Sequence, residues 1–352
     1  MDRLFAELIR KLAGRGKVVL LIDEYDKPII DYLDELEQAH ANQLILKTFY
    51  SVIKNSDPYI EFLLITGVSK FGKVSIFSEL DNLIDITLNR YFADLTGYTQ
   101  TELETAFGPY MADTETLLGL TRGELLAQLR HWYNGYSWDG RTFVYNPFSI
   151  LSFFLQTDFR NYWFGPSGLP GTPTFLLKLM RQEWLYVLDN LTVSEQTFSS
   201  YDIEHLSAIA ILFQTGYLTI KARGDFGLYT LDYPNAEVKE SLLAYIIADL
   251  RNDQPPFTKP MVIQLYEAFH ANNVVCVIDL IKRIFKNIPS QIFLAKAEAY
   301  YHSLIYLVFF YLGQYTQSEV NTNDGRLDCL VQTPTHIYIL EFKLDQSAAA
   351  AL

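Results

Sequence analysis

Residues 18–24 read VVLLIDE: five aliphatic side chains, then two acids in succession. A short apolar run bounded by polar residues has the pattern of a strand in a parallel sheet, buried on both faces. Acids at its carboxyl end stand where open α/β sheets bind ligands. A second run of this kind, FLLI at 62–65, lies within a strand predicted over 61–66, and that strand ends on Thr66. Helices are predicted in AELIRKLA (6–13) and over 35–54. Residues 1–130 therefore read as an α/β domain on a parallel sheet, with Asp23 and Thr66 at the carboxyl ends of neighbouring strands.

The loop after the second strand, ITGVSKFGKVS at 65–75, comes close to the phosphate-binding pattern G-x-x-x-x-G-K-[ST]. In that pattern backbone N–H groups wrap the phosphates and the last hydroxyl ligates Mg²⁺. Here the hydroxyl position is Val74, and Ser75 comes one residue late. On a helix that delay turns the side chain by about 100°. The following VSIFSELDNLIDI opens with β-branched residues, a poor helix start. Order is against it too: an Asp-Glu pair after a strand is normally the second motif of a nucleotide-hydrolysing sheet, and only 17 residues precede Val18. Residues 67–73 read as a Gly-bounded loop.

The chain has 352 residues, enough for two or three domains, and is 49% hydrophobic, so it is no disordered chain. Cys276 and Cys329 are far apart and form no C-x-x-C. That excludes a disulfide framework and a cysteine zinc site, and fits a reducing, cytoplasmic setting. The longest apolar run, LIYLVFFYL at 304–312, is too short to span a membrane. Net charge is −13, which repels nucleic acid taken as a whole. From Pro255 onward, however, seven Lys/Arg stand against eight Asp/Glu, so only the C-terminal part can approach a phosphate backbone.

Further along, TQTELETAF (99–107) carries a capping-box pattern, read as Thr101 with Glu104, and TRGELLAQLRHWYNGY (121–136) is a helix ending near Asn134-Gly135. Residues 131–175 are dense in aromatics, Gly and Pro, which reads as a packed region between domains or as a binding groove. Over 202–250 come a helix, a Gly turn, a strand, a hairpin in ARGDFGLYTLDYP and a capped helix in NAEVKESLLAYIIADL. Helices followed by a hairpin have the order of a winged helix. Only Lys221 and Arg223 are basic in 206–233, so a structural lid over 131–251 is expected, not a DNA reader. NDQPPFTKP (252–260) reads as a linker. Helices follow at 261–271, 274–287 and within 291–313, then strands at 315–321, 327–332 and 337–344.

The C-terminal GRLDCLVQTPTHIYILEFK (325–343) carries the most chemistry. A turn centred between Pro334 and Thr335 pairs Thr333 with His336 and, counting outward, sets Asp328 opposite Glu341. Alternation puts Tyr338, Leu340, Phe342 and Leu344 on one face, and Ile337, Ile339, Glu341 and Lys343 on the other. Cross-strand carboxylates have Cβ atoms roughly 4.5–5.5 Å apart. They repel unless a proton or cation intervenes. Mg²⁺ suits two carboxylates plus waters and substrate phosphate, and Lys343 then stands ready to orient water or offset phosphate charge. The other reading is a surface hairpin in which Lys343 simply offsets two acids.

Together VVLLIDEYDKPI, LLITGVSKFGKVSIFSELDNL, WYNGYSW, YNPFSIL, TPTFL and YTLDYPNAEV resemble the AAA-ATPase-like family of bacterial proteins. SEVNTNDGRLD and YILEFK resemble the PD-(D/E)xK nuclease-like domain that follows it. The resemblance implies a partial P-loop-type parallel sheet over 1–130, a helical and winged-helix lid over 131–251, and a restriction-endonuclease-like α/β domain over 261–352. It also implies truncation at both ends: the chain begins after the phosphate-loop segment and ends before the helix and strand that normally follow Glu-x-Lys. Asp23 and Glu24 match the Walker B magnesium and water acids, and Thr66 the polar sensor. Asp328, Glu341 and Lys343 match the nuclease motif, with Glu319 as a further metal ligand and Glu298 and His302 as additional candidates. The cofactors implied are Mg²⁺ and ATP, though without a phosphate loop ATP hydrolysis is not expected. The partner implied is nucleic acid at the C-terminal domain. Strand surface left uncovered around Phe342 and Leu344 invites self-association. The competing expectation is a non-catalytic scaffold with vestigial sites.

Overall fold

The computed structural model describes residues 2–68, 76–77, 80, 83–163, 173–183, 185, 188–198, 203, 206–285, 297–313 and 329–340. It is a mixed α/β architecture in two compact units, Met1–Val238 and Lys239–Leu352.

In the first unit, α1 (Asp2–Ala13) leads into β1 (Val18–Ile22). The short α2 (Lys27–Ile30) and long α3 (Leu36–Asn55) then carry the chain to β2 (Ile60–Ile65). β1 and β2 pair in parallel, with Leu20 opposite Leu63 and Ile22 opposite Ile65. These four side chains pack on a core of Tyr25, Ile29, Leu33, Tyr50 and Ile53, joined by Phe5 of α1. Phe5 stacks on Phe49 of α3 at 4.6 Å, so both helices cover the same side of the sheet. The opposite face does not meet the sequence expectation of burial on both sides. Val19, Leu21 and Phe62 are 55%, 70% and 52% exposed, because among the described residues no element packs over them.

A helical layer follows: α4 (Gln100–Leu118), α5 (Arg122–Tyr133) and α6 (Pro147–Gln156). Leu103, Phe107, Met111, Leu125, Leu129, Tyr133, Ile150 and Phe153 form its core. The aromatic density at 131–163 is explained by this core, where Tyr133, Phe153, Phe159 and Tyr162 pack ring against ring. The capping box of α4 is corrected by two residues. Thr99 is the N-cap, and its hydroxyl and backbone N–H exchange hydrogen bonds with Glu102. Tyr98 is held extended by a bridge to Tyr145, so the helix starts directly after it. Thr101 lies inside the first turn, its carbonyl accepting from the Thr105 hydroxyl. α5 repeats the box with Thr121 and Glu124.

Beyond α7 (Pro173–Glu183) come β3 (Leu191–Ser194), α8 (Ala208–Gln214), β4 (Thr219–Arg223) and β5 (Leu228–Asp232). The three strands form an antiparallel sheet in the order β3-β5-β4, and the predicted hairpin is the β4–β5 pair. α9 (Ala236–Leu250) starts in the first unit, its N-terminus capped by Asn235 accepting from the Val238 amide at 3.1 Å.

The second unit contains the rest of α9, then α10 (Thr258–His270), α11 (Val274–Phe285), α12 (Ala297–Leu312), β6 (Cys329–Gln332) and β7 (Ile337–Leu340). α10 begins inside the segment expected as linker. Pro260 fits there because the N–H groups of a first turn have no helical partner. Phe269 of α10 anchors the core, its ring 6.1 Å from Phe309 and 4.9 Å from Tyr338. Among the described residues Cys276 and Cys329 form no disulfide. Among the described residues no helix is long and apolar enough to cross a membrane.

Candidate functional site

The carboxyl ends of β1 and β2 lie side by side. Because Ile22 pairs with Ile65, Asp23 and Thr66 leave the sheet together. The Thr66 hydroxyl donates to Asp23 Oδ1. The Thr66 amide donates to the Ile22 carbonyl at 2.8 Å, and the Tyr25 amide to the Thr66 carbonyl at 3.0 Å. The Glu24 amide faces Asp23 Oδ1 at 3.1 Å and Thr66 Oγ1 at 3.4 Å. Glu24 holds a left-handed φ of 49°, a conformation costly for a residue with a Cβ. The sequence placed these three residues together, and the structure brings them together.

The donor set decides whether a magnesium–nucleotide fits this edge. Asp23 and Glu24 are exposed carboxylates. The hydrogen bonds to Asp23 from described residues all go to Oδ1. Mg²⁺ keeps several waters and takes one or two carboxylates together with phosphate oxygens. An exposed carboxylate with one oxygen steadied by a hydroxyl fits that part-shell. Among the described residues no group of three or more His, Cys, Asp and Glu gathers into an all-protein cage.

Asp26 was missed. An Asp before Lys27-Pro28 reads as a helix N-cap, and it stands at that position, yet its side chain makes no cap bond. It is fully buried and accepts the Val68 amide at 3.1 Å. Gly67 between them has no room for a side chain: a Cβ would lie 2.5 Å from the Tyr25 ring and 2.7 Å from Asp26 Oδ1.

At the other end of the chain, β6 and β7 adopt the predicted register. Cys329 pairs with Leu340, Leu330 with Ile339, Val331 with Tyr338 and Gln332 with Ile337. Thr333 and His336 close the turn through their backbone and the Thr333 hydroxyl. Cys329 and Val331 are buried, while Ile337 and Ile339 of the other face are exposed. The Tyr338 hydroxyl donates to the Phe269 carbonyl at the end of α10. Asp328, Glu341, Lys343 and Glu319 lie outside the described residues, as do Phe342 and Leu344. Glu298 and His302 fall on α12, with side chains outside the described set.

A second buried carboxylate was also missed. Glu237, in the first turn of α9, accepts the Tyr162 and Trp163 amides at 2.7 and 2.9 Å and the Ser149 hydroxyl at 2.8 Å. Burial pushes its carboxyl above the usual range despite these bonds. It ties the start of α9 to α6 and to residues 162–163.

Residues 1–77 match the family model described as "Predicted AAA-ATPase", and residues 296–351 match the "PD-(D/E)XK nuclease superfamily". The chain thus carries an AAA-ATPase-like region at its N-terminal end and a PD-(D/E)xK nuclease-like region at its C-terminal end. It is similar to a protein of Azotobacter chroococcum mcd 1 described as "Uncharacterized protein in vnfD 5'region". The two are 39% identical over an alignment of 351 positions that covers 97% of this chain and 65% of that protein. The chain therefore spans less than two thirds of the length of that relative. No solved structure matches it significantly.

Proposed function

We propose that the C-terminal region hydrolyses phosphodiester bonds with Mg²⁺ or Mn²⁺ held by Asp328 and Glu341. The β6–β7 register supports this reading: the turn count that pairs Cys329 with Leu340 is the one by which the sequence is expected to set Asp328 opposite Glu341, and Ile339, two residues before Glu341, is exposed. The match of 296–351 to the nuclease superfamily supports it, and makes nucleic acid the expected substrate. A cation held there supplies the charge that makes bound water a nucleophile. Glu319 is a further ligand candidate, and the Lys343 amine offsets charge on the attacked phosphate. At the N-terminal edge, Asp23, Glu24 and Thr66 bind a magnesium–nucleotide as Walker B acids and sensor do, without turnover. The β3-β5-β4 sheet with α8 and α9 is taken as the winged-helix-like lid of that arrangement.

Isothermal titration of the full chain with Mn²⁺, in an Asp23→Ala background that silences the N-terminal edge, tests the first part. Asp328→Ala and Glu341→Ala each abolish the remaining heat, and Lys343→Ala abolishes Mn²⁺-dependent cleavage of a DNA oligonucleotide. Equal heats from all three proteins would leave the second reading, a non-catalytic scaffold. One observation favours that second reading: the exposed apolar face of Val19, Leu21 and Phe62, over which no element packs among the described residues, a surface of the kind that mediates association.

A further inference from the structure

Five consecutive residues, 22–26, grip the three residues 66–68. The Ile22 carbonyl takes the Thr66 amide, and Asp23 takes the Thr66 hydroxyl. The Glu24 amide faces Thr66 Oγ1, and the Tyr25 amide donates to the Thr66 carbonyl. Asp26 takes the Val68 amide. Gly67 lies flat against both the Tyr25 ring and the Asp26 carboxylate, where even a methyl group does not fit. The loop that carries Thr66 is thus fixed on both sides of the hydroxyl, and Asp26 is its far anchor. Burial, and then the nearby Asp26, raise the Tyr50 phenol.

We propose that Asp26 is a positioning residue for the N-terminal edge: by holding Val68 it fixes Thr66 on Asp23 and so sets the affinity for magnesium–nucleotide. The proposal rests on the nucleotide-binding reading of that edge. A loop free at Val68 frays back to Thr66: the Thr66–Ile22 pairing opens more often, and the hydroxyl samples orientations away from Asp23. Supporting groups of this kind typically change metal affinity about 10–100-fold.

The test is carried out on the full chain with two readouts. Mn²⁺–ATP affinity is measured by paramagnetic resonance of free Mn²⁺, and amide exchange is followed at Thr66 and Val68. Asp26→Ala is expected to weaken binding about 10-fold and to speed exchange at both amides. Asp26→Asn keeps an acceptor oxygen and is expected to bind as wild type does, a rescue that a general packing role does not give. Gly67→Ala, which pushes the loop off Asp26 without removing the carboxylate, is expected to reproduce Asp26→Ala and serves if that variant does not fold. Wild-type affinity in Asp26→Ala or Gly67→Ala would overturn the proposal. If wild type shows no binding sensitive to Asp23→Ala, the nucleotide reading fails by itself. Exchange then decides the positioning claim: Thr66 protection unchanged while Val68 is released would overturn it.

Discussion

Thr66 donates its hydroxyl to the Asp23 carboxylate across the carboxyl edge of two adjacent parallel strands. On the proposed reading of this edge as a magnesium–nucleotide site, the bond fixes the direction in which the carboxylate faces the cation. Thr66→Val removes the donor at almost constant volume. It is expected to raise the Mn²⁺–ATP dissociation constant about 10-fold, the usual scale for losing an outer-shell partner. Thr66→Ser keeps the hydroxyl and stays near wild type. Identical constants for Val and Ser would show that the bond does not orient Asp23.

ATP turnover is expected to be absent from this chain. Neither Gly-Lys step, at 16–17 or 72–73, is followed by Ser or Thr, so G-x-x-x-x-G-K-[ST] does not occur in the sequence. Without it no hydroxyl stands beside the phosphate-binding Lys to share Mg²⁺ with Asp23. Steady-state phosphate release with Mg²⁺–ATP measures this directly. Turnover that disappears in Glu24→Gln would overturn it.

Glu237 gives the first unit a pH dependence whose sign can be worked out. Its folded-state pKa is raised by burial above the ordinary 4.5, against the opposing bonds from the Trp163 and Tyr162 amides and the Ser149 hydroxyl. In that case the folded state binds more protons than the unfolded one. The stability it contributes is complete below about pH 4.5 and is lost as pH rises through the folded-state value. The nearby Tyr133 and Tyr136 phenols, both raised by burial, stay neutral across this window. Glu237→Gln keeps an acceptor for the two amides and cannot ionise. Its urea midpoint is therefore expected to gain on wild type as pH rises from about 4.5 to 8. A constant difference across that range would refute this. Glu237→Ala leaves two amides without their acceptor, each costing about 1–3 kcal/mol.

How much of this could be read in the sequence follows from the range of the interactions. β1 and β2 were legible because aliphatic runs that end in Asp23 and Thr66 announce both a strand and its carboxyl end. The β6–β7 register was legible because a tight turn at Pro334-Thr335 fixes every pair after it. Asp26 was not legible: its partner is a main-chain amide 42 positions away, and main-chain donors leave no mark on composition. Glu237 escaped for the same reason, with amides 74 and 75 positions upstream. The exposed face of Val19, Leu21 and Phe62 was misjudged because a strand's pattern records its hydrophobicity, not whether an element packs over it, and among the described residues none does.

The capping box of α4 shows how two equal local signals are separated by packing. Thr99 with Glu102 and Thr101 with Glu104 both carry the Thr-x-x-Glu spacing. The extended bridge at Tyr98 and the burial of Leu103 in the helical core select the first. The bond from the Thr99 amide, and then that from its hydroxyl, hold the Glu102 carboxyl below the usual range. Thr99→Ala removes the acceptor of the Glu102 amide and is expected to cost about 1 kcal/mol, within roughly 0.5–2 for such caps. Thr101→Ala, inside the first turn and exposed, is expected to change stability by no more than about 0.5 kcal/mol. Urea denaturation of the two variants separates them, and the opposite order would move the helix start to Thr101.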